Sequence, residues 1–266
     1  MKLLDGKKLS EKILEKIKKR RLNLSLAVVL VGDDPVSKVF FRQKEKACKK
    51  IGIGFKLFKF SASISEEELK KELEKLGKDK KVSGIIIQLP LPKKFDSQEI
   101  LNLIPLEKDI DVLSERALEK FRAGELLILP PVVGAVSHLL EEYNISLKGK
   151  KVVLVGKGKL VGFLIYLWLL RKGAKVLVVD KSTKDVSSVT KKADILISGV
   201  GKPNLIKGDM VKKGVVVIDA GTALRDGKLV GDVDFEKVSP KAEYITPVPG
   251  GVGPLTVASL LENLIK

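Results

Sequence analysis

Apolar residues along this chain follow two spacings. In "KKLSEKILEKIKKR" they recur three and four positions apart, which predicts a helix over 7–20 with one buried face. "SLAVVLVG" is apolar almost without interruption over 25–32, the pattern of a strand covered on both sides. The alternation continues with a helix over 36–50, the strand "GFKLFKF" at 54–60, a helix opening at Ser65 and the strand "VSGIIIQLP" at 82–90. Ser65 and Glu68 have capping-box spacing, in which each satisfies an N–H that the first helical turn leaves open. A helix near 96–104 and the acidic turn "EKDID" at 107–111 close this block.

A second block follows "LPPVV" and a helix near 133–143. It runs strand "KKVVLVG", helix "KLVGFLIYLWLLRKG", strand "AKVLVVD", a short helix, then strands "ADILISGVG" and "GVVVIDAG". "DGKLVGDVDF" predicts a hairpin or excursion, and a final helix covers 255–265. Such repeated strand–helix units predict an α/β protein with parallel-type sheets, the second block being Rossmann-like. "PVPGGVGPLT" (247–256) stands apart, because three prolines and three glycines suit neither a helix nor a strand.

Composition narrows the chemistry. With 266 residues, 44% of them hydrophobic, the chain can bury a sizeable core. Cys48 is the one cysteine, so an intramolecular disulfide and a thiolate metal cluster are excluded. His138 is the one histidine, and its apolar neighbours in "VVGAVSHLLEEYNI" favour a structural or surface role. No metal is expected, and acid–base work falls to Lys, Asp, Glu or Tyr. No stretch approaches the roughly 18–20 apolar residues of a membrane span. The Lys-rich start lacks a secretory apolar block, so a cytoplasmic protein without membrane attachment is expected. The net charge of +17 is spread over helices in which lysine alternates with glutamate, and aromatics make up 5%. That pattern argues against nucleic acid as partner and suits small polyanions such as dinucleotides.

"VVLVGKGKLVG" sets Gly156, Gly158 and Gly162 between a strand and a helix, one residue longer than the common dinucleotide fingerprint. Gly156 would make the tight turn, Gly158 would admit a pyrophosphate, and Gly162 would allow close helix–strand packing. The bland alternative is a turn shaped by glycines with no ligand. Asp180 ends the next strand, 24 positions beyond Gly156, where a carboxylate accepts ribose hydroxyls and repels a phosphate. This leans towards NAD over NADP, although Lys157 and Lys181 beside it offset the repulsion.

"YITPVPGGVGPLTVASLLEN" (244–263) closely resembles the C-terminal signature of the bifunctional methylenetetrahydrofolate dehydrogenase/methenyltetrahydrofolate cyclohydrolase family. "LAVVLVGDDPVSKVFFRQKEKACKKIGI" (26–53), "GIIIQLPLP" (84–92), "KDID" (108–111), "ADILISGVGKP", "VVVIDAG" and "GKLVGDVDF" resemble its other landmarks in order. The resemblance implies two domains, 1–120 plus 250–266 binding folate and 121–249 binding NAD or NADP, with the site in the cleft between them. It also implies a homodimer acting on tetrahydrofolate derivatives. By motif, Lys44 does the acid–base work, Gln88 orients it or the substrate, and Asp111 accepts hydrogen bonds from the pterin edge. Pro249, Gly250 and Gly251 line the folate pocket as a low, rigid wall. Gly156, Lys157, Gly158, Gly162, Asp180 and Thr222 serve the cofactor.

The chain departs from the family pattern at several positions. Phe40 replaces a tyrosine one helical turn before Lys44, which keeps a ring able to stack but removes a hydroxyl. "PPVVGA" (130–135) replaces a segment with threonine and a second proline, and Val112 replaces a glycine after the "KDID" run. Lys157 and Gly158 replace arginine and serine, and Leu164 replaces a proline. A narrower alternative follows, in which hydride transfer survives and the hydrolytic step is impaired or lost.

Overall fold

A computed structural model describes residues 1–266, the side chains of Pro35 and Val36 excepted. The first half holds β1 (Lys2–Leu3), α1 (Gly6–Lys19), β2 (Ser25–Val31), α2 (Pro35–Ile51), β3 (Gly54–Phe60), α3 (Glu66–Lys78), β4 (Gly84–Ile87), α4 (Ser97–Leu101), α5 (Glu115–Ala123) and α6 (Pro131–Glu142). The second half holds β5 (Lys151–Val155), α7 (Gly162–Arg171), β6 (Lys175–Val179), α8 (Val186–Thr190), β7 (Ile195–Ser198), β8 (Val215–Asp219), β9 (Ala223–Arg225), β10 (Lys228–Val230), α9 (Phe235–Val238), β11 (Ala242–Ile245) and α10 (Val252–Asn263). Two compact units result, one of Glu11–Pro131 with Val257–Lys266, the other of Met1–Ser10 with Val132–Thr256.

The unit containing Lys44 is built on a parallel sheet of order β3-β2-β4. β2 is central and almost wholly buried, as its unbroken apolar run requires. Leu69 and Leu73 of α3 pack with Val29, Ile85 and Ile87 in one core cluster, each such side chain contributing about 1.5–3 kcal/mol by leaving water. The Ser65–Glu68 capping box opens α3 as predicted. Gly84 is needed by packing, since a Cβ there would meet Leu264 Cδ1 at 2.6 Å.

The other unit carries a six-stranded sheet of order β1-β11-β8-β7-β5-β6, parallel throughout. The predicted hairpin is the antiparallel pair β9–β10. Its turn residues, Asp226 and Gly227, both have positive φ, as a two-residue turn between twisted strands demands.

Five elements depart from expectation. α5 was not anticipated; Ser114 caps its start and Gly124 its end, but only Ala117 and Phe121 are buried, too narrow a stripe to set a clear period. β1 and β11 were also missed, being two and four residues long. The helix predicted from 133 begins at Pro131, since the first helical position needs no N–H. α10 begins at Val252, inside the proline–glycine stretch and not at 255, with Pro254 tolerated in the first turn for the same reason.

Candidate active site

Lys44 lies on α2, whose start is fixed by Asp34 accepting the Ser37 N–H at 2.7 Å and whose end is closed by left-handed Gly52. Phe40, half-buried, is one turn upstream on the same helix. Gln88 follows β4 directly, its N–H donating to Val29 O at 2.8 Å and so prolonging the sheet by one residue. The Lys44 ammonium donates to Gln88 Oε1 at 3.0 Å, while Gln88 Nε2 donates to Leu89 O at 3.1 Å. The amide is thus held in the orientation that presents oxygen to the amine.

Asp111 reaches this amine from the loop after a short 3-10 turn, Leu106–Lys108. The loop is tied from beneath: Asp109, buried, accepts the Leu113 and Ser114 N–H groups at 3.3 and 2.9 Å. Asn263 of α10 donates to Ile110 O at 2.9 Å and Leu129 O at 2.7 Å. The two carboxylates of "KDID" therefore divide, Asp109 bracing the loop and Asp111 left to act electrostatically on Lys44. Val112, directly after Asp111, has φ +58°, strained for a β-branched residue and explaining why glycine suits this place.

Both charged ends are perturbed. Burial lowers the Lys44 pKa from the ordinary lysine value, with the Asp111 charge opposing. Burial raises that of Asp111, opposed by Lys44 and reinforced by Asp109. Each side chain keeps partial access to solvent, so the pair can exchange protons with a bound molecule. Cys48, one turn further along α2, is fully buried and its thiol is pushed up to about 12, chiefly by burial, so it stays protonated.

In the second unit, Gly156 follows β5 with φ +87°, and Gly162 opens α7. A Cβ on Gly162 would lie 2.0 Å from Gly156 O, so close helix–strand approach accounts for that glycine. Gly158 differs: a Cβ there would meet nothing within 4 Å. No packing within the protein requires glycine at 158, and its backbone is open to a ligand such as a pyrophosphate. Lys157 places its ammonium 4.1 Å from the centroid of the Tyr166 ring. Asp180, exposed, accepts Ser182 N–H at 2.9 Å and Ser182 Oγ–H at 2.6 Å, contacts that lower its pKa and keep it anionic. Thr222 is exposed after β8, its carbonyl oxygen 3.5 Å from where a Gly201 Cβ would sit.

Pro249 is exposed, Gly250 has φ +111°, and Gly250 O accepts the Lys7 N–H at 2.8 Å. A Cβ on Gly251 would meet Pro247 O at 2.6 Å, and one on Gly6 would meet Gly251 O at 1.9 Å. The protein's own packing therefore demands Gly251, in addition to any ligand laid against it.

Two further carboxylates lie in "VVVIDAG" and "GKLVGDVDF". Asp219 ends β8 and Asp232 follows β10, both buried. Asp232 accepts Ser198 Oγ–H, Val200 N–H and Lys202 N–H, each at 2.7 Å. Asp219 accepts Gly221 N–H at 3.0 Å and Val233 N–H at 2.9 Å. A carboxylate closing an apolar run next to glycine ("VVVIDAG", "KLVGD") was the available signal. A pocket of about 400 Å³ lined by Asn102, Ile104, Ser114, Arg116 and Glu119 contains none of the predicted site residues. Among the described residues no group of three or more His, Cys, Asp or Glu is arranged to hold a metal ion.

Comparison with known proteins gives a consistent picture. Residues 4–111 match the family model of the tetrahydrofolate dehydrogenase/cyclohydrolase catalytic domain, and residues 130–266 that of its NAD(P)-binding domain. A bifunctional protein FolD of Nautilia profundicola is 46% identical over 100% of this chain and 96% of its own length. The crystal structure of the Campylobacter jejuni bifunctional methylenetetrahydrofolate dehydrogenase/cyclohydrolase superposes with a TM-score of 0.95 at 43% identity, covering 100% of this chain and 97% of that one. A Trypanosoma brucei dehydrogenase-cyclohydrolase, solved with NADP cofactor and an inhibitor, gives 0.93 at 32% identity over 98% and 95% of the two chains.

Proposed function

Because this chain belongs to the tetrahydrofolate dehydrogenase/cyclohydrolase family, we infer that it oxidises methylenetetrahydrofolate to the methenyl form with a nicotinamide dinucleotide and hydrolyses that form to formyltetrahydrofolate. Nothing in the comparisons favours the narrower reading suggested by Phe40 and "PPVVGA". The observation that carries the residue assignment is the 3.0 Å contact of Lys44 Nζ with Gln88 Oε1 beside Asp111.

The chemistry follows from the substrate. In the first step the methylene carbon between two nitrogens gives up a hydride, leaving a methenyl cation; the dinucleotide, when bound, supplies the acceptor. In the second, water adds to that cationic carbon and loses a proton. One carbon–nitrogen bond then breaks as the added hydroxyl gives up its remaining proton to become the formyl oxygen and the departing nitrogen takes a proton, so that one proton is released overall. A lysine amine with lowered pKa is suited to accept the first proton and return the second. Gln88 holds the amine in place, and Asp111 accepts hydrogen bonds from the pterin edge. The ring of Phe40 stacks on the substrate one turn away. Pro249, Gly250 and Gly251 form a low wall for the folate.

The strand–turn–helix at 156–162 fits a dinucleotide, and the open backbone at Gly158 supports that reading. An anionic Asp180 disfavours a 2′-phosphate, and Lys157 is engaged with Tyr166, so NAD is the preferred cofactor. A homodimer is the expected assembly.

The test is purified protein with methylenetetrahydrofolate, offered NAD and NADP in parallel, followed by the opening of methenyltetrahydrofolate alone. Both reactions should proceed, with the larger kcat/KM for NAD. Absence of nicotinamide reduction with either cofactor would remove the assignment, and faster turnover with NADP would overturn the part given to Asp180.

A further inference from the structure

We propose that Asp232 is a positioning residue for the dinucleotide: by gathering residues 198–202 onto one carboxylate, it fixes the loop that packs against the glycine turn. The inference rests on the reading that the turn at 156–162 holds a dinucleotide.

The loop leaves β7 at Ser198 and contains two glycines, 199 and 201, the latter with φ +78°. Such a backbone has many conformations open to it unless something selects one. Asp232 does so with three bonds of 2.7 Å, from Ser198 Oγ–H, Val200 N–H and Lys202 N–H. Donors at alternate positions turned towards one anion wrap the loop about it. Its other side meets the dinucleotide turn. A Cβ on Gly199 would lie 2.5 Å from Val161 Cγ1, and one on Gly156 would lie 2.7 Å from Val200 Cγ2. Loop and turn are thus in contact without spare room, and Val200, 45% exposed, forms a lip beside Gly156.

Asp232 is itself pinned. A Cβ on Gly221 would fall 2.1–2.3 Å from its carboxylate atoms, so the chain closes over it there. Asp219 makes other contacts: its backbone N–H donates to Thr246 Oγ1 at 2.7 Å, and a Cβ on Gly231 would strike its Oδ2 at 2.1 Å. The Asp219 carboxylate therefore braces the chain at Gly221 and Val233, while Asp232 alone of the two grips the loop at the turn. An asparagine at 232 cannot substitute. Whichever way its amide lies, an NH2 group faces a backbone N–H, at Lys202 or at Val200.

The test compares the full chain with Asp232→Asn and Ser198→Ala, the latter deleting one of the three bonds without changing charge. Dinucleotide Kd is measured by calorimetric titration with NAD and NADP, and the opening of methenyltetrahydrofolate, which uses no dinucleotide, is assayed separately. Asp232→Asn should raise the Kd and KM for the dinucleotide about tenfold or more while methenyl opening stays within about twofold. Ser198→Ala should move the dinucleotide values the same way by about two- to fourfold, and it decides the matter if Asp232→Asn does not fold. Dinucleotide Kd within about twofold of the parent in every folded variant, or a parallel loss of both activities, would overturn the proposal. Failure of the parent protein to bind any dinucleotide would instead bring down the reading beneath it.

Discussion

Two buried groups of charged side chains, one in each unit, face the same penalty and meet it differently. At Lys44 the partners are side chains: a Gln88 amide oxygen at 3.0 Å and the field of Asp111. At Asp232 they are mostly backbone, two N–H groups and one hydroxyl at 2.7 Å each, and at Asp219 two backbone N–H groups. A carboxylate whose oxygens are engaged by buried backbone donors holds chain segments together and is turned away from any substrate. An amine held by one side chain keeps a proton it can give up. Burial alone thus does not separate chemistry from scaffold; the origin of the hydrogen-bond partners does.

The sharpest break in this comparison comes from Lys44→Met. Methenyl opening should fall by about 10²–10⁴-fold, the range expected when a positioned acid–base group is lost, with far-UV circular dichroism unchanged. The pH profile adds a sign. Burial lowers the Lys44 pKa, so its neutral, proton-accepting form grows as pH rises, over a range below the ordinary lysine value of 10.5. The rising limb of methenyl opening should accordingly have its midpoint below that value and vanish in the methionine variant. A limb centred at the ordinary value would mean that burial does not tune this amine.

Next in size is a pair of glycine replacements. Gly221→Ala would drive a methyl group to 2.1 Å from Asp232 Cγ, so the carboxylate or the chain around it must move. The expected loss is about 2–4 kcal/mol, from overpacking and from buried N–H groups left without their acceptor. Gly158→Ala meets no atom within 4 Å and should change stability by less than about 1 kcal/mol, while weakening dinucleotide binding. Equal urea midpoints for the two variants would show that the aspartate pair does not brace the unit.

The carboxylate pair also makes a prediction in pH. Asp219 is pushed up to about 7 from 3.8, chiefly by burial, with the Asp232 charge adding and the Val233 N–H opposing. In the window between those values the folded state retains a proton that the unfolded chain has released. Stability from this group is complete below pH 3.8, declines as pH rises, and is lost above about 7. The slope is at most about 1.4 kcal/mol per pH unit. Asp219→Asn should flatten it, as urea titrations between about pH 4.5 and 8 would reveal. An unchanged slope would locate the proton elsewhere.

Most of the sheet framework was legible because its strands are unbroken β-branched runs, "KKVVLVG" and "GVVVIDAG" among them, that no helix period fits. The glycine turn was legible for the same local reason. What escaped depended on distance along the chain. Asp219 and Asp232 are separated by the β9–β10 hairpin, and only the fold brings their charges within reach of each other and Asp232 onto the loop after β7. β11 exposes Glu243 and half-exposes Tyr244; its place between β8 and β1 comes from pairing, not from pattern. In "KDID" the sequence offers two equivalent carboxylates, and only the bonds to Leu113 and Ser114 show that Asp109 turns inward.

The smallest effect tests the chemical side of the comparison most finely. Phe40 is one helical turn from Lys44 and half-buried, so Phe40→Tyr adds a hydroxyl near the amine without enlarging the ring. If Lys44 manages its protons through side-chain partners, another hydroxyl should help the step that moves protons and leave hydride transfer alone. Methenyl opening should rise about two- to fivefold, with hydride transfer within about twofold and stability within about 0.5 kcal/mol. A matched rise in both rates would assign the ring to substrate stacking alone, and a fall in both would mean that the added oxygen is buried without a partner.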